Sequence, residues 1–122
     1  AWSVDGQPGF VYTLGWDDQP RVRARLHWVH AEACACAAAL LQRTGQARFE
    51  QWYRRCWDFI TEHFIDLEGG SWHHELDADN RPAGTIWPGK PDLYHAYQAL
   101  LLPGLPLARS LASGLALNVT KR

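Results

Sequence analysis

Two stretches of the chain resemble each other, and this repeat constrains the possible fold more than any other feature of the sequence. In the first stretch, residues 9–14 precede an acidic turn, a proline and a helical pattern that carries His30. In the second, residues 70–76 precede the same features in the same order, and the helical pattern carries His95. The offset of about 61 to 65 residues accommodates one hairpin and two helices. Units of this kind build an α/α toroid, because each one buries its apolar face only against its neighbours.

Helical periodicity predicts four helices, which cover about residues 21–44, 47–64, 92–102 and 106–117. Gly45 ends the first and Pro103 the third, while residues 10–14 and 71–76 predict two small hairpins. The predicted fold class is therefore all-α, with short β-hairpins between the helices. Four helices form only an arc of a toroid and leave apolar faces uncovered. We expect residues 1–122 to be one partial domain that packs against the remainder of its barrel or against a second copy of the chain.

Composition indicates a globular domain. The chain has 122 residues, of which 47% are apolar and 20% charged, and its net charge is −1 with no run of either sign. We therefore expect neither nucleic acid nor a membrane as partner, and no apolar stretch approaches the ~20 residues of a membrane span. The basic residues are expected on solvated helix surface: Arg21, Arg23, Arg25, Arg54 and Arg55.

The first residues and the cysteines predict a trimmed, cytoplasmic chain. The sequence contains no Met and no signal-peptide pattern, as expected for a fragment. Cys34, Cys36 and Cys56 fall in predicted helices among apolar neighbours, so we expect three free, buried thiols. Free thiols are typical of the reducing cytoplasm.

Three separated motifs carry a family resemblance. Residues 70–82 read GSWHHELDADNRP, residues 87–96 read WPGKPDLYHA, and residues 27–33 read HWVHAEA. They resemble the C-terminal region of the N-acylglucosamine 2-epimerase superfamily, and the motif KPDLYHA is most similar to the aldose–ketose isomerase branch, which includes mannose isomerases. The resemblance implies the C-terminal arc of an (α/α)6 barrel, within a fold several times longer than this chain.

The resemblance also implies proton transfer at the sugar carbon next to the carbonyl, carried out by two histidines without a metal or another cofactor. One of these histidines maps onto His95 in the Tyr-His motif. The other belongs to a Gly-His-x-x-Glu motif, and no Gly-His pair occurs in this sequence. Imidazole suits the reaction, because it accepts and donates protons near neutral pH. We expect isomerisation of a free aldose such as mannose through an enediol, with this chain holding part of the site and inactive by itself.

Aromatic residues supply further candidates, since seven Trp and four Tyr suit either a carbohydrate site or a bulky core. Trp28 and Glu32 are four residues apart on one helix face, where they either meet the same sugar or pack as a core ring beside a surface acid. Lys90 and Asp92 are candidates to orient His95 and to polarise a sugar oxygen. The remaining candidates for sugar binding are His27 and His30, which stand where the family has Trp and Gln, and Trp72 and Trp87.

Three alternative functions stay open. The same fold supports C2 epimerisation, as in acylglucosamine or cellobiose epimerases. An inverting glycosidase needs two carboxylates about 6.5–9.5 Å apart, and Glu32 and Glu75 are among the available acids. The third alternative is a sugar-binding fragment without activity. A metal site is not expected at His73, His74 and Glu75, because adjacent residues of a strand point to opposite faces.

Overall fold

The computed structural model describes residues 1–119, so the last three residues of the predicted 1–122 domain lie outside the described part. Within this part the chain is rich in helix and has a few short strands. The α-helices are α1 (His27–Thr44), α2 (Ala47–Phe59), α3 (Tyr94–Leu101) and α4 (Leu111–Val119). The strands are β1 (Thr13–Leu14), β2 (Pro20–Val22), β3 (Arg25–Leu26), β4 (Glu75–Leu76) and β5 (Pro82–Ala83).

The helix ends follow from local chemistry. Gly45 has a φ of 66° and its N–H donates to the carbonyl of Leu41, so α1 ends where predicted. A π-helical turn, Ile60–Phe64, extends α2 and confirms the predicted length of the second helix. A 3₁₀ turn, Leu102–Gly104, ends α3 at the predicted proline. The fourth helix was predicted from about residue 106, but α4 begins at Leu111.

Short antiparallel pairings form two hairpins, and one further pairing connects the two halves of the repeat. β1 pairs with β2, and β4 pairs with β5, which confirms both predicted hairpins. β3 pairs with β4, with Arg25 opposite Leu76, and so joins the strand before α1 to the hairpin that leads toward α3. Because residues 20–22 and 25–26 are strands, α1 begins at His27, and the prediction that it begins near residue 21 was wrong.

Arg25 corrects a second expectation, because it is completely buried rather than solvated. Its guanidinium forms a two-pronged ion pair with Asp5, with nitrogen–oxygen distances of 2.7 and 2.8 Å. It also donates to the carbonyl oxygens of Gln7, Pro8 and Arg23. These bonds fasten the first residues of the chain to the strand that precedes α1.

The core lies where α1 packs against α2 and α3. Its buried members are Ala31, Cys34, Cys56, Phe59, Ile60, Phe64, Trp72, Leu76, Ala96 and Ala99. Small side chains dominate the faces of α1 and α3, so these two helices approach closely. Side chains at the edge of this contact can therefore reach from one helix to the other.

The three cysteines are free, as predicted. Cys34 and Cys56 are buried, and burial raises the pKa of Cys56 to about 11, so both are packing residues rather than reactive thiolates. Cys36 is exposed, contrary to expectation.

Among the helices of residues 1–119, none combines the length and the apolar character that crossing a bilayer demands.

Candidate functional site

His95 and Glu32 form a hydrogen-bonded pair across the contact between α1 and α3. Nδ1 of His95 lies 2.8 Å from Oε1 of Glu32. Both side chains are partly exposed, to 28% and 44%. The pair forms because the buried alanines Ala31, Ala96 and Ala99 let the two helices come close.

The pairing determines which ring nitrogen of His95 is available for chemistry. A carboxylate only accepts hydrogen bonds. The ring proton is therefore on Nδ1, and this N–H donates a hydrogen bond to Glu32. Within residues 1–119, no protein group is hydrogen-bonded to Nε2. This nitrogen therefore has a free lone pair, which a general base requires.

Aromatic rings surround the imidazole of His95. The Trp28 ring centroid lies 6.0 Å from that of His95, and the Tyr94 centroid lies 4.8 Å away. Tyr12 contacts the far side of Trp28 at 6.3 Å. Trp28 and Glu32 thus both lie beside His95, on the helix face that their spacing places them on.

His27 lies next to His95 and is buried, with only 2% of its surface exposed. Its ring centroid is 5.9 Å from that of His95 and 4.8 Å from that of His74. Neither ring nitrogen has a hydrogen-bond partner among the described residues. Burial, together with the neighbouring His74, lowers the pKa of His27 to about 4, so its imidazole is neutral at pH 7.

His74 joins this cluster, although its motif suggested only a role in metal binding. Its ring lies against His27 and stacks on Trp87, whose centroid is 5.7 Å away at an angle of 27°. The signal that would have found it is the alternation of a strand, which places Trp72 and His74 on the same face. Trp72 is buried between His27 and Trp57, while Trp87 is 47% exposed.

Lys90 and Asp92 are not brought into contact with His95. The ammonium group of Lys90 forms an ion pair with Asp66. The carboxylate of Asp92 accepts the backbone N–H of Tyr94 at 2.8 Å, at the start of α3. Its charge opposes part of the lowering of the pKa of His27.

His30 lies apart from the other candidates, in a ring cluster with Phe59 and Phe64. Its Nδ1 lies 2.9 Å from the carbonyl oxygen of Leu26, and its Nε2 accepts the N–H of Phe10 at 3.0 Å. Burial lowers the pKa of His30 to about 4. Both nitrogens are occupied within the protein, so His30 links α1 to the first residues of the chain.

The side chains of residues 1–119 contain no group of three His, Cys, Asp or Glu arranged to hold a metal ion. The cluster therefore consists of one carboxylate-bound histidine, two further histidines and several aromatic rings. Imidazole and indole rings are suited to hydrogen bonding and stacking with a polar ligand.

The fold and this cluster define the class of protein: a helix-rich scaffold with a histidine–carboxylate pair of the kind that general acid–base catalysis uses. Residues 1–99 match the sequence profile of the N-acylglucosamine 2-epimerase (GlcNAc 2-epimerase) family. The chain belongs to this family, which confirms the resemblance noted from its motifs.

Similar proteins confirm the mannose isomerase branch as well. The chain is 65% identical over 116 residues to a D-mannose isomerase of Pseudomonas cannabina pv. alisalensis, an alignment that covers 95% of this chain and 28% of the relative. It is 61% identical over 117 residues to a D-mannose isomerase of Thermobifida fusca, covering 95% of this chain and 29% of the relative. A crystal structure of a D-mannose isomerase superposes with a TM-score of 0.70 at 27% identity, over 82% of this chain and 27% of that one. The chain thus spans less than a third of the length of these relatives.

Proposed function

We propose that the protein carrying this chain is an aldose–ketose isomerase that acts on a free aldose such as mannose. The names of its relatives support this activity. The observation that carries the proposal is the 2.8 Å hydrogen bond between His95 and Glu32, because it leaves Nε2 of a partly exposed histidine ready to move a proton.

In the proposed reaction, His95 transfers a proton between two carbons of the open-chain sugar. Nε2 takes the proton from C2, and the electron pair of that C–H bond forms the double bond of a cis-enediol as O1 gains a proton. The imidazolium then returns a proton to C1 while O2 loses one, which yields the ketose. Glu32 stabilises the imidazolium between the two steps, since a carboxylate beside Nδ1 favours the charged ring.

A second group is needed to give a proton to O1 and to take one from O2. The Gly-His-x-x-Glu motif that would supply it is missing from this sequence. We therefore propose that the chain holds part of the active site, as the C-terminal arc of an (α/α)6 toroid. The rest of the barrel, or a second copy, completes the site, and we propose a cytoplasmic location.

The surrounding rings are proposed to bind the sugar. Trp28 beside His95 and the exposed ring of Trp87 offer flat apolar faces, on which a sugar ring stacks. Neutral His27 donates or accepts hydrogen bonds without adding charge. Lys90 and Asp92, in the loop that precedes α3, are proposed to bind the sugar at the edge of the cluster. These groups bind an uncharged polar ligand without the cluster of cations that a phosphorylated sugar would require.

Incubation of the protein that carries this chain with mannose tests the proposal. Fructose as the product supports isomerisation. Glucose without fructose would indicate C2 epimerisation on the same fold. Glu75 gives the glycosidase alternative little support, because its carboxylate is completely buried and bound to backbone N–H groups. Release of reducing sugar from a disaccharide, with mannose left unchanged, would overturn the proposal.

A further inference from the structure

Glu75 is a completely buried residue on β4, and within residues 1–119 its carboxylate binds one short loop. Its Oε1 accepts the backbone N–H and the hydroxyl of Thr85. Its Oε2 accepts the N–H groups of Ile86 and Trp87 at 2.7 and 2.8 Å. Burial raises the pKa of Glu75, but the hydrogen bonds from Thr85, Trp87 and Ile86 outweigh this effect and hold it below the usual range, so the carboxylate is ionised.

Three consecutive backbone N–H groups that converge on one anion leave the loop little freedom. Charge-assisted bonds of this type are roughly twice as strong as neutral ones. They fix the backbone of Trp87, whose ring then stacks on His74, the residue that precedes Glu75. Two adjacent residues thus hold Trp87: Glu75 in β4 binds its backbone, and His74, just before β4, stacks on its side chain.

The loop is also held near its other end. The ammonium group of Lys90 pairs with Asp66, which in addition accepts the N–H groups of Glu68 and Gly69. The bonds from Lys90 and Gly69 lower the pKa of Asp66 to about 2. Between these two anchors, Trp87 is almost half exposed, and its indole stacks on His74 beside His27 and His95.

We propose that Glu75 is a positioning residue for substrate binding: it holds Trp87 so that the exposed indole forms one wall of the sugar site. The inference rests on the proposed isomerase activity and adds a role that the motifs do not indicate. A stiff wall of this kind lowers the conformational entropy lost on binding, so it acts on substrate affinity rather than on the chemical step.

Steady-state kinetics of Glu75→Gln in the protein that carries this chain test the inference. The amide keeps one acceptor oxygen, but in either orientation its NH₂ group faces at least one backbone N–H of residues 85–87, which weakens the hold on the loop. We expect KM for mannose to rise about three- to tenfold, the effect of losing one aromatic contact. We expect kcat to stay within about twofold, because His95 and Glu32 are untouched.

Trp87→Ala and the double variant separate positioning from general damage. Trp87→Ala should raise KM by the same factor, and Glu75→Gln added to Trp87→Ala should change it little further, since the two residues act through one ring. Asp77→Asn is the matched control. Asp77 also binds backbone N–H groups on this hairpin, those of Asp79 and Arg81, but it does not touch the Trp87 loop. Its KM should stay at the wild-type value.

Other outcomes would overturn the inference. Additive effects of Glu75→Gln and Trp87→Ala on KM, or an equal KM increase in Asp77→Asn, would show that Glu75 acts only on stability. If Glu75→Gln does not fold, Thr85→Val removes one hydrogen bond to the same carboxylate and should raise KM in the same direction, and an unchanged KM would count against the role. A parallel His95→Asn variant with wild-type turnover would refute the proposed function itself rather than this inference.

Discussion

At the scale of single residues, the histidines differ in the hydrogen-bond partners of their ring nitrogens. His95 and Glu32 are 63 residues apart in sequence, and their motifs marked both as candidates. Their pairing could not be predicted, because it depends on how closely α1 and α3 pack. His27 and His30 lie three residues apart on α1, yet one faces His95 and the other is bonded within the core. Only the tertiary packing distinguishes them.

These buried histidines predict a pH-dependent stability. The pKa of His27 and that of His30 are lowered to about 4, against about 6.5 in an unfolded chain. The unfolded chain therefore binds more protons between these values, so the free energy of unfolding falls as the pH drops from about 6.5 to 4. Above pH 6.5, each histidine contributes at most about 3 kcal/mol to the free energy of unfolding, and this contribution is lost at low pH. Asp5 and Asp66, whose pKa values are about 2, act only below about pH 4.

Urea unfolding at pH 7 and pH 4.5 measures this effect. We expect a large loss of stability at the lower pH, and a smaller loss in His30→Asn, which lacks one of the two groups. Equal stability of the parent chain at both pH values would be inconsistent with neutral, buried histidines.

At the scale of elements, local signals predicted the two hairpins and the ends of α1 and α3, but not the strand β3. The glycine after α1 and the proline after α3 mark real ends, since each acts through its own backbone chemistry. β3 has no such local signal. It is a strand because Arg25 pairs with Leu76, about 51 residues further along, and because its guanidinium finds Asp5. A row of arginines next to a helical pattern otherwise resembles a solvated helix.

The buried pair of Arg25 and Asp5 predicts a large effect of substitution. Arg25→Ala should lower the free energy of unfolding by about 3–5 kcal/mol, because it leaves the Asp5 carboxylate buried without its main partner. Arg21→Ala is the matched control, since its ion pair with Asp17 is more than half exposed, and it should cost less than about 1 kcal/mol. Chemical denaturation of the two variants gives the comparison. Similar losses in both would show that the Arg25 pair contributes no more than a surface pair.

At the scale of the whole molecule, apolar side chains on and beside α3 lack cover. Leu93, Tyr94, Tyr97 and Leu100 are each about 60–70% exposed. A patch of this kind marks a contact surface. The sequence repeat predicts such uncovered faces, because four helices cannot close a toroid. Two partners are compatible with the repeat as the cover of this patch: the remainder of the barrel, or a second copy of the chain.

This patch predicts that the isolated chain self-associates. Burying apolar surface against a second copy is favourable by about 25 cal/mol per Å² before the costs of association. Sedimentation at micromolar concentration should show a dimer or a larger species, and Tyr97→Glu should weaken it. Leu67→Glu is the control, because Leu67 is 91% exposed but lies outside this face. A monomeric chain, or equal weakening by both variants, would argue against the face as the contact.

Turnover of the protein that carries this chain tests most directly whether His95, supported by Glu32, moves the proton. We predict that His95→Asn lowers kcat for mannose isomerisation by about 10²- to 10⁴-fold, the usual contribution of a positioned acid or base, while sugar affinity stays within about tenfold. Glu32→Gln should lower kcat by less, because the ring remains, and His63→Asn, away from the cluster, should leave it unchanged. A His95→Asn variant that keeps more than about a tenth of the wild-type turnover would contradict this account.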